Sequence, residues 1–295
     1  TFIVRKNIFF KNPLDITKNS KVDIVIELIG SSDGISKKVV ESALKNKKHV
    51  ITANKALISK HGDYLASIAE RNRVNLEFEA AVGGGIPVLR TIKDGLATNK
   101  INKVVGILNG TSNYILSQMQ KTKKSFKNVL KEAQKLGFAE ANPKFDLDGS
   151  DVLAKIRILS SLSFNKKISK NICLRNGIEN IELKDIDMAE KLDLKVKLLG
   201  ITEIINNKLF ERVHPCLIKK DNYIANINGV MNAVILEGNP VGKSVLQGEG
   251  AGPGPTSSAL MSDLLSILRG NIKFPFGIPS NKRKKIIRYD QNQYS

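Results

Sequence analysis

The segment VDIVIELIGSSDG, residues 22–34, decides the fold of the first part of the chain. Its opening run, VDIVIELI, is mostly apolar and β-branched, which is typical of a strand buried on both faces of a parallel sheet. The glycine- and serine-rich turn after it is typical of a helix start. Apolar residues at helical spacing continue to about residue 46. The segment therefore predicts a strand, a turn and a helix in succession.

Further strand and helix patterns follow at short intervals. We predict strands at 49–52 and 74–79, with a helix near 60–72 between them. Alternation at this spacing indicates βαβ units and a Rossmann-like sheet. Residues 1–85 are therefore expected to form a partial dinucleotide-binding domain.

The phosphate-binding motif of such a domain is missing from the first 30 residues. Its usual form is a strand followed by G-x-G-x-x-G, whose glycines let the backbone approach a pyrophosphate. Either the domain does not bind a nucleotide, or the chain starts after the first βα unit. We favour a late start, because the downstream pattern fits the rest of such a domain. Phe2, Ile3 and Val4 would then belong to the second strand, and Arg5 and Lys6 could meet a 2′-phosphate.

The pattern changes at the glycine run 83–85. Beyond it we predict helices near 88–97, 112–121, 125–136 and 149–162, a strand at 103–108, and a loop-like stretch at 164–185. Strands near 198–205, 209–218, 227–236 and 243–247 precede a last helix near 256–269. Residues 86–270 are therefore expected to form an α+β substrate and dimerisation domain with a mixed sheet, whose last helix could pack back on the nucleotide domain. The fold class is α/β plus α+β, and residues 271–295 are expected to form a basic tail.

Composition limits the function classes. The net charge of +19 suits nucleic acid or an anionic cofactor, but the lysines are scattered, aromatic residues are 5% and tryptophan is absent, so nucleic acid is not predicted as a partner. The sequence shows neither a transmembrane run nor a signal-peptide layout in residues 1–20, so no membrane partner is predicted. Cys173 and Cys216 stand far apart, which favours neither disulfides nor zinc. We expect a reducing, cytoplasmic setting.

The segment GFAEANPKFDLDGSDVLAKIRILSSLSF, residues 137–164, holds the main candidate catalytic side chains. Asp151 and Lys155 stand four residues apart on a predicted helix, so they project from one face. The other helix positions are largely apolar, and a polar pair at the start of a buried helix suits a site. The alternative is an ordinary surface ion pair, which is common on exposed helix faces.

The chain resembles homoserine dehydrogenases over about residues 20–270. Five motifs occur in the family's order: ITANKALIS (51–59), FEAAVGGGIPVLRTIKDGL (78–96), NGTSNYIL (109–116), the segment 137–164, and a set that runs from VHPCLI through NGVMNAVILEGNPVG to GEGAGPGPTSSALMSDLL. One departure is Phe138, where many members carry Tyr. The resemblance implies NAD- or NADP-dependent interconversion of L-homoserine and L-aspartate 4-semialdehyde, in threonine, methionine and isoleucine biosynthesis.

The resemblance also implies roles at the substrate. Asp151 and Lys155 would hold the reacting hydroxyl, with Lys155 in the proton-transfer role. Lys55, just past a strand end, would be a second candidate for proton transfer, although by itself it looks like a solvated lysine. Glu140, Asp146 and Asp151 would bind the substrate.

Further implied positions concern the cofactor and a cation. The implied cofactor contacts are Ser31, Lys55, Glu249 and Gly250. A monovalent cation, Na⁺ or K⁺, would be held by Glu79 and by the backbone of Val82, Gly84 and Ile86. Carbonyl oxygens and one carboxylate suit such a hard cation. The alternative for this glycine run is a hinge between the domains.

Three functional hypotheses stay open at this point. The first is an active homoserine dehydrogenase completed by an N-terminal segment. The second is a related dehydrogenase that acts on another small amino acid. The third is a truncated chain that binds a ligand or partner without catalysis. Family members are commonly dimers built through the substrate domain, so a homodimer is expected, whereas the choice between NAD and NADP is left open.

Overall fold

Two separate sheets organise the residues that the computed structural model describes, which are 9–169 and 174–287. The first sheet has three parallel strands in the order β1-β2-β3. Its strands are Ile24–Glu27 (β1), His49–Thr52 (β2) and Leu76–Glu77 (β3), and its helices are Pro13–Lys18 (α1), Ile35–Lys45 (α2) and Lys55–Asn72 (α3). The strand expected at residues 2–4, with Arg5 and Lys6 after it, lies outside the described residues.

Among the described residues, the second sheet has six strands in the order β5-β7-β6-β4-β8-β9; β5 and β7 pair in parallel and the other neighbours are antiparallel. The strands are Lys100–Ile107 (β4), Leu174–Arg175 (β5), Leu194–Ile205 (β6), Lys208–Lys219 (β7), Met231–Asn239 (β8) and Gly242–Glu249 (β9). The helices are Val88–Arg90 (α4), Gly110–Thr122 (α5), Phe126–Lys135 (α6), Lys144–Leu147 (α7), Ser150–Ser163 (α8), Leu183–Lys191 (α9) and Pro253–Leu268 (α10). Helix α4 continues as a π-helix over Thr91–Gly95, and 3₁₀ turns cover Glu79–Ala81 and Tyr223–Asn226.

This arrangement confirms the predicted fold class, a Rossmann-like parallel sheet followed by an α+β unit with a mixed sheet. The stretch 164–185 differs from the prediction, because it contains β5 and the start of α9. A capping box built from Glu182 and Asp185 starts α9. The usual capping signature places Ser or Thr at the N-cap, so acidic residues in both positions are a weaker signal in the sequence. Within 9–169 and 174–287, the helices fall short of the length and apolar character that a membrane crossing requires.

Helix α3 begins at Lys55, earlier than the start near residue 60 that the sequence predicts. The Asn54 side chain caps the helix by accepting a hydrogen bond from the backbone N–H of Leu57 at 3.0 Å. Such a cap satisfies a donor that the first turn leaves without an intrahelical partner. Lys55 is therefore the first residue of a capped helix, and its backbone is fixed relative to β2.

Helix α8 lies on one face of the second sheet because Gly200 of β6 has no side chain. A Cβ atom at Gly200 would lie 2.8 Å from Cγ1 of Val152, closer than carbon atoms pack. The apolar side chains of α8 are buried against the sheet and its neighbours: Val152, Ile156, Ile158, Leu159 and Leu162. This close packing also buries Asp151 and Lys155 near the start of the helix.

Two C-terminal elements pack on the first unit, which is the part of the chain built around the parallel sheet β1-β2-β3. Helix α10 contacts β2 and the 3₁₀ turn at Glu79–Ala81. Residues 271–287, expected as part of a basic tail, run along α3 and place the Phe276 ring 5.2 Å from the Phe78 ring. Gly62 of α3 makes room for this ring, since a Cβ atom there would lie 2.9 Å from Cζ of Phe276. The described part of the expected tail is therefore integrated into the fold.

Candidate active site

The starts of α3 and α8 meet at one buried carboxylate. Oδ1 of Asp151 lies 3.0 Å from Nζ of Lys55, and its Oδ2 atom accepts a hydrogen bond from Nζ of Lys155 at 2.7 Å. Lys155 also donates to the Leu108 carbonyl at 2.6 Å, just beyond the end of β4. Asp151 is 1% exposed and Lys155 is 7% exposed. The pair is therefore buried, which excludes the alternative of an ordinary surface ion pair.

Burial and neighbouring charges both shift the pKa values of Asp151 and Lys155. Burial by itself would raise the pKa of Asp151, but the ammonium groups of Lys155 and Lys55 overcome it and hold that pKa at about 2. Burial lowers the pKa of Lys155, and the charge of Lys55 lowers it further, while Asp151 opposes both effects. The result is an anionic carboxylate beside a lysine whose proton is easier to remove than usual.

Asn109 joins the two acids of the cluster. Its Nδ2 group donates to Oδ1 of Asp146 and to Oδ2 of Asp151, both at 2.9 Å, while its own Oδ1 caps α5 by accepting from the N–H of Ser112. Thr111 donates to Oδ2 of Asp146 at 3.3 Å. Burial, and then the charge of Asp151, raise the pKa of Asp146. Asn109 and Thr111 both belong to the NGTSNYIL motif, but neither was predicted to have a role at the site.

These side chains line one cleft with a volume of about 480 Å³, a size typical of small-molecule sites. The cleft brings together seven of the residues singled out from the sequence: Lys55, Glu140, Asp146, Asp151, Lys155, Glu249 and Gly250. Phe138, the residue that departs from the family pattern, lines it as well. Segments distant in the sequence thus form a single concave site of acids, lysines and backbone amides.

Ser31 lies beside this cleft without lining it. Its carbonyl accepts a hydrogen bond from Nδ2 of Asn54 at 2.7 Å, and Asn54 directly precedes Lys55. Ser31 has a positive φ of 73°, in the turn that ends β1. It therefore stands at the carboxyl edge of the parallel sheet, where ligands of such sheets bind.

Glu27 supports that same turn and was not singled out from the sequence. Its carboxylate accepts hydrogen bonds from the N–H groups of Ile29 (2.8 Å) and Gly30 (3.1 Å). It also accepts from the hydroxyls of Ser36 (3.0 Å) and Thr52 (2.7 Å). A buried acid at the end of an otherwise apolar strand was the available signal. Glu27 ties the turn after β1 to α2 and β2.

The expected cation ligands lie behind the cleft wall. Oε1 and Oε2 of the buried Glu79 accept the N–H groups of Leu89 and Arg90, both at 2.8 Å, and burial raises the pKa of Glu79 to about 7. The Ile86 carbonyl accepts from Val88 at 2.7 Å. In the described part of the chain, no group of three or more His, Cys, Asp or Glu side chains is arranged to hold a metal. Backbone carbonyls and Glu79 would have to be the ligands.

The glycine run touches the loop that lines the cleft. Gly84 has a φ of +54°, and a Cβ atom on it would lie 2.6 Å from the carbonyl carbon of Gly250. The N–H of Gly85 donates to the carbonyl of Glu249 at 3.1 Å. The expected cation segment and the expected cofactor loop are therefore packed backbone against backbone, a contact that the sequence did not predict.

A Rossmann-like unit joined to an α+β unit, with a buried lysine and carboxylate in the cleft, defines a two-unit dehydrogenase fold. The family model for homoserine dehydrogenase matches residues 87–265, and the model for the homoserine dehydrogenase NAD-binding domain matches residues 8–79. The chain belongs to the homoserine dehydrogenase family.

Curated relatives and solved structures agree with this family. The homoserine dehydrogenase of Neisseria gonorrhoeae is 44% identical over 261 residues, which cover 88% of this chain and 60% of that protein. A homoserine dehydrogenase structure from Thiobacillus denitrificans aligns with a TM-score of 0.90 and 39% identity, over 95% of this chain and 66% of that one. A hyperthermophilic archaeal homoserine dehydrogenase in complex with NADPH aligns with a TM-score of 0.77 and 25% identity, over 89% of this chain and 76% of that one. The chain thus spans about 60% of the length of the curated relatives it matches.

Proposed function

We propose that this chain carries the catalytic unit of an NAD(P)-dependent homoserine dehydrogenase, which interconverts L-homoserine and L-aspartate 4-semialdehyde. The observation that carries the proposal is the position of Asp151 between Lys55 and Lys155 in the cleft. A buried lysine with a lowered pKa, held by a carboxylate, is the arrangement that proton transfer to and from an alcohol oxygen requires.

Lys155 is the proton-transfer residue in this mechanism. In the oxidising direction its neutral amine takes the proton of the substrate hydroxyl, and in the reducing direction its ammonium returns that proton to the developing alkoxide. Asp151 and the Leu108 carbonyl take two of its N–H bonds, which leaves an ammonium one N–H for the substrate oxygen among the described contacts. A bound nicotinamide would supply or accept the hydride at the substrate carbon. Lys55 offers a second positive charge next to Asp151.

The acids on the cleft wall suit the amino group of the substrate. Glu140 and Asp146 line the same cleft as Lys155, and Asn109 orients Asp146. Carboxylates at this place would bind the ammonium of an amino alcohol and so align its hydroxyl with Lys155. On the cofactor side, Ser31, Lys55, Glu249 and Gly250 would contact NADP or NAD, because they border the carboxyl edge of the parallel sheet or the cleft itself.

The cation follows from the same proposal. Na⁺ or K⁺ would be held by Glu79 and by backbone atoms of Val82, Gly84 and Ile86. The Glu79 oxygens already accept one N–H each, but a carboxylate oxygen has a further lone pair for a cation. Since Gly84 packs on Gly250, a cation here would stiffen the cleft wall. Cation binding is tested by thermal unfolding in NaCl, KCl and choline chloride at equal ionic strength. We expect a higher melting temperature in NaCl or KCl than in choline chloride.

A homodimer and a reducing, cytoplasmic setting complete the proposal. The dimer would form through the sheet face opposite α8, where a 3₁₀ turn covers part of the surface. One row across this face is apolar: Ile201, Val105, Ile235 and Val245. The next row alternates in charge: Glu203, Lys103, Glu237 and Lys243. Alternating charge is self-complementary across a twofold axis.

Sedimentation tests the dimer through Val245, which is 41% exposed. Val245→Lys should yield monomers, whereas the control Leu192→Lys, an exposed apolar residue in the turn after α9, should not. Equal sedimentation of wild type and Val245→Lys would remove this face from the proposal.

Turnover of the purified chain tests the proposed reaction. Nicotinamide absorbance is followed with L-homoserine and either NADP or NAD, with L-serine and L-threonine as competing substrates. The proposal is supported if turnover is faster with L-homoserine than with L-serine or L-threonine and if that turnover is lost in Lys155→Met. A preference for another amino alcohol would favour the related dehydrogenase. Calorimetric binding of cofactor or L-homoserine without turnover would favour the non-catalytic alternative.

A further inference from the structure

We propose that Arg283 is a positioning residue that clamps α3 to α8 and thereby sets the approach of Lys55 to Asp151. The effect on turnover rests on the proposed function, whereas the effect on the geometry of the cluster does not. Neither the motifs of the sequence nor the cleft itself points to Arg283, which lies in the segment expected to be a tail.

The Arg283 guanidinium is buried and bridges three parts of the chain. It is 2% exposed, and its Nη1 atom lies 2.8 Å from Oδ1 of Asp63 in α3. Its Nη2 group donates to the hydroxyl of Ser161 in α8 and, at 2.8 Å, to the carbonyl of Lys166 beyond that helix. The guanidinium carbon lies 4.0 Å from the centroid of the Phe276 ring. One side chain therefore joins a helix of the first unit to a helix of the second.

The two helices that Arg283 joins are those that carry the lysines of the site. Lys55 opens α3, and Asp63 lies about two turns further along the same helix. Asp151 and Lys155 lie in the first turns of α8, and Ser161 lies near its end. The helices are thus connected at their starts by Lys55 and Asp151, and further along by Arg283. The helices also pack directly against each other, and Asp63 accepts the N–H of Ile168 beyond α8 at 3.0 Å, so Arg283 adds a further restraint on how one helix moves against the other.

The chemistry of the contact requires arginine. A guanidinium offers five N–H donors in a fixed plane, so it can face a carboxylate, a carbonyl and a hydroxyl at once and still stack on an aromatic ring. A lysine could keep the pair with Asp63 but has no planar group to span the other acceptors. A charge buried as deeply as that of Arg283 is costly without a partner, and Asp63, whose side chain is 25% exposed, supplies the carboxylate.

The surrounding segment is anchored independently of Arg283. Glu70 accepts from the N–H and hydroxyl of Ser280, and Asn75 accepts from the N–H of Lys273 at 2.9 Å. Phe276 fills the space over Gly62. Because these contacts do not involve Arg283, a variant should keep residues 271–287 docked while it loses the Arg283 contacts with Asp63, Ser161 and the Lys166 carbonyl.

The test compares Arg283→Met with Arg283→Lys and with the control Lys282→Met, an exposed neighbour. The primary readout is NMR titration of the Lys155 side-chain amine. Since Lys55 lowers the pKa of Lys155, a looser Lys55 should let that pKa rise in Arg283→Met. Amide exchange at residues 55–58 should become about tenfold faster as the start of α3 loosens. Arg283→Lys should show both changes to a smaller extent, and Lys282→Met should show neither the pKa change nor the faster exchange.

Turnover provides a second readout. Arg283→Met should lower kcat by about tenfold, because small misplacements of a catalytic group are costly, with little change in KM for the amino alcohol. If the Met variant does not fold, Ser161→Ala removes one arm of the clamp and should shift the Lys155 titration in the same direction. A lower melting temperature with an unchanged Lys155 titration and unchanged exchange at 55–58 would make Arg283 merely structural and overturn the proposal. Absent turnover in wild type would count against the proposed function, while titration and exchange would still decide the role of Arg283.

Discussion

Nζ of Lys55 lies 3.0 Å from Oδ1 of Asp151, so the first residue of α3 contacts the first turn of α8. This contact spans the two units, since α3 packs beside the parallel sheet and α8 on the mixed sheet. Asp151 therefore faces a lysine from its own helix and a lysine from the other unit. The electrostatics of the site depend on how the two units are held together.

Lys155→Met should reduce turnover strongly and leave folding intact. Loss of a positioned acid–base group reduces kcat by about 10²–10⁴-fold. The variant should still fold but melt at a lower temperature, because the buried Asp151 carboxylate loses one of its two ammonium partners and keeps only Lys55. The matched control is Lys45→Met, which removes the lysine of an exposed i,i+4 pair with Glu41 and should change neither quantity. Near-normal turnover of Lys155→Met would contradict the role of Lys155.

The pH dependence of oxidation should report the lowered pKa of Lys155. Only the neutral amine accepts the hydroxyl proton, so kcat/KM should rise with pH and level off below the ordinary lysine pKa of about 10.4. Lys55 lowers the pKa of Lys155 and Asp151 raises it. The midpoint should therefore move up in Lys55→Met and down in Asp151→Asn. Shifts in the same direction in both variants would contradict the assignment.

Asp151→Asn should destabilise the protein at neutral pH and less so in acid. The folded-state pKa of Asp151 is about 2, below the usual value of about 3.9, so its ionised form stabilises the fold above about pH 4. This contribution is lost as the pH falls from about 4 to about 2, and it amounts to about 2–3 kcal/mol. Urea unfolding at several pH values measures it. The control is Asp187→Asn, which changes an exposed pair with Lys123 and should cost less than about 1 kcal/mol of stability. A destabilising effect of Asp151→Asn that grows in acid would contradict the prediction.

Gly84→Ala should displace the loop around Gly250. The new Cβ would lie 2.6 Å from the Gly250 backbone, and the φ of +54° is unfavourable for alanine. We expect a loss of about 1–3 kcal/mol in stability and a higher KM for the cofactor. Gly95→Ala is the control, because nothing lies within 4 Å of its added Cβ. Equal KM values in the two variants would show that the glycine contact does not shape the cleft.

Asn109→Ala should raise KM for the amino alcohol by about tenfold, because Asp146 and Asp151 lose their shared donor, which is worth about 1.4 kcal/mol. Asn109 also caps α5, so the variant should lose about 1 kcal/mol of stability. Asn12→Ala removes a comparable cap from α1 and separates the two effects. If both variants raise KM equally, the change follows from stability alone.

Much of the fold was predictable because its signals are local. The apolar run at 22–29 and the patterns after it predicted the parallel sheet, and strand 49–52 was predicted with the bounds that the structure has. The sequence patterns gave the wrong start for a helix, or missed the helix, where a side-chain cap sets that start. The start of α3 depends on Asn54, and α9 begins at an acidic capping box. In both places a polar side chain, which hydrophobic periodicity does not register, decides where the helix begins.

The sequence by itself determined that Asp151 and Lys155 share a helix face, because the pitch of the helix brings positions four apart together. Only the tertiary structure decided that this pair is buried, that Lys55 and Asn109 meet it, that Gly84 touches Gly250, and that Arg283 clamps the helices behind it. These contacts join segments far apart in the chain, and no local periodicity encodes the distance between them. Burial and long-range contact arise from packing, and packing sets the pKa values on which the proposed chemistry depends.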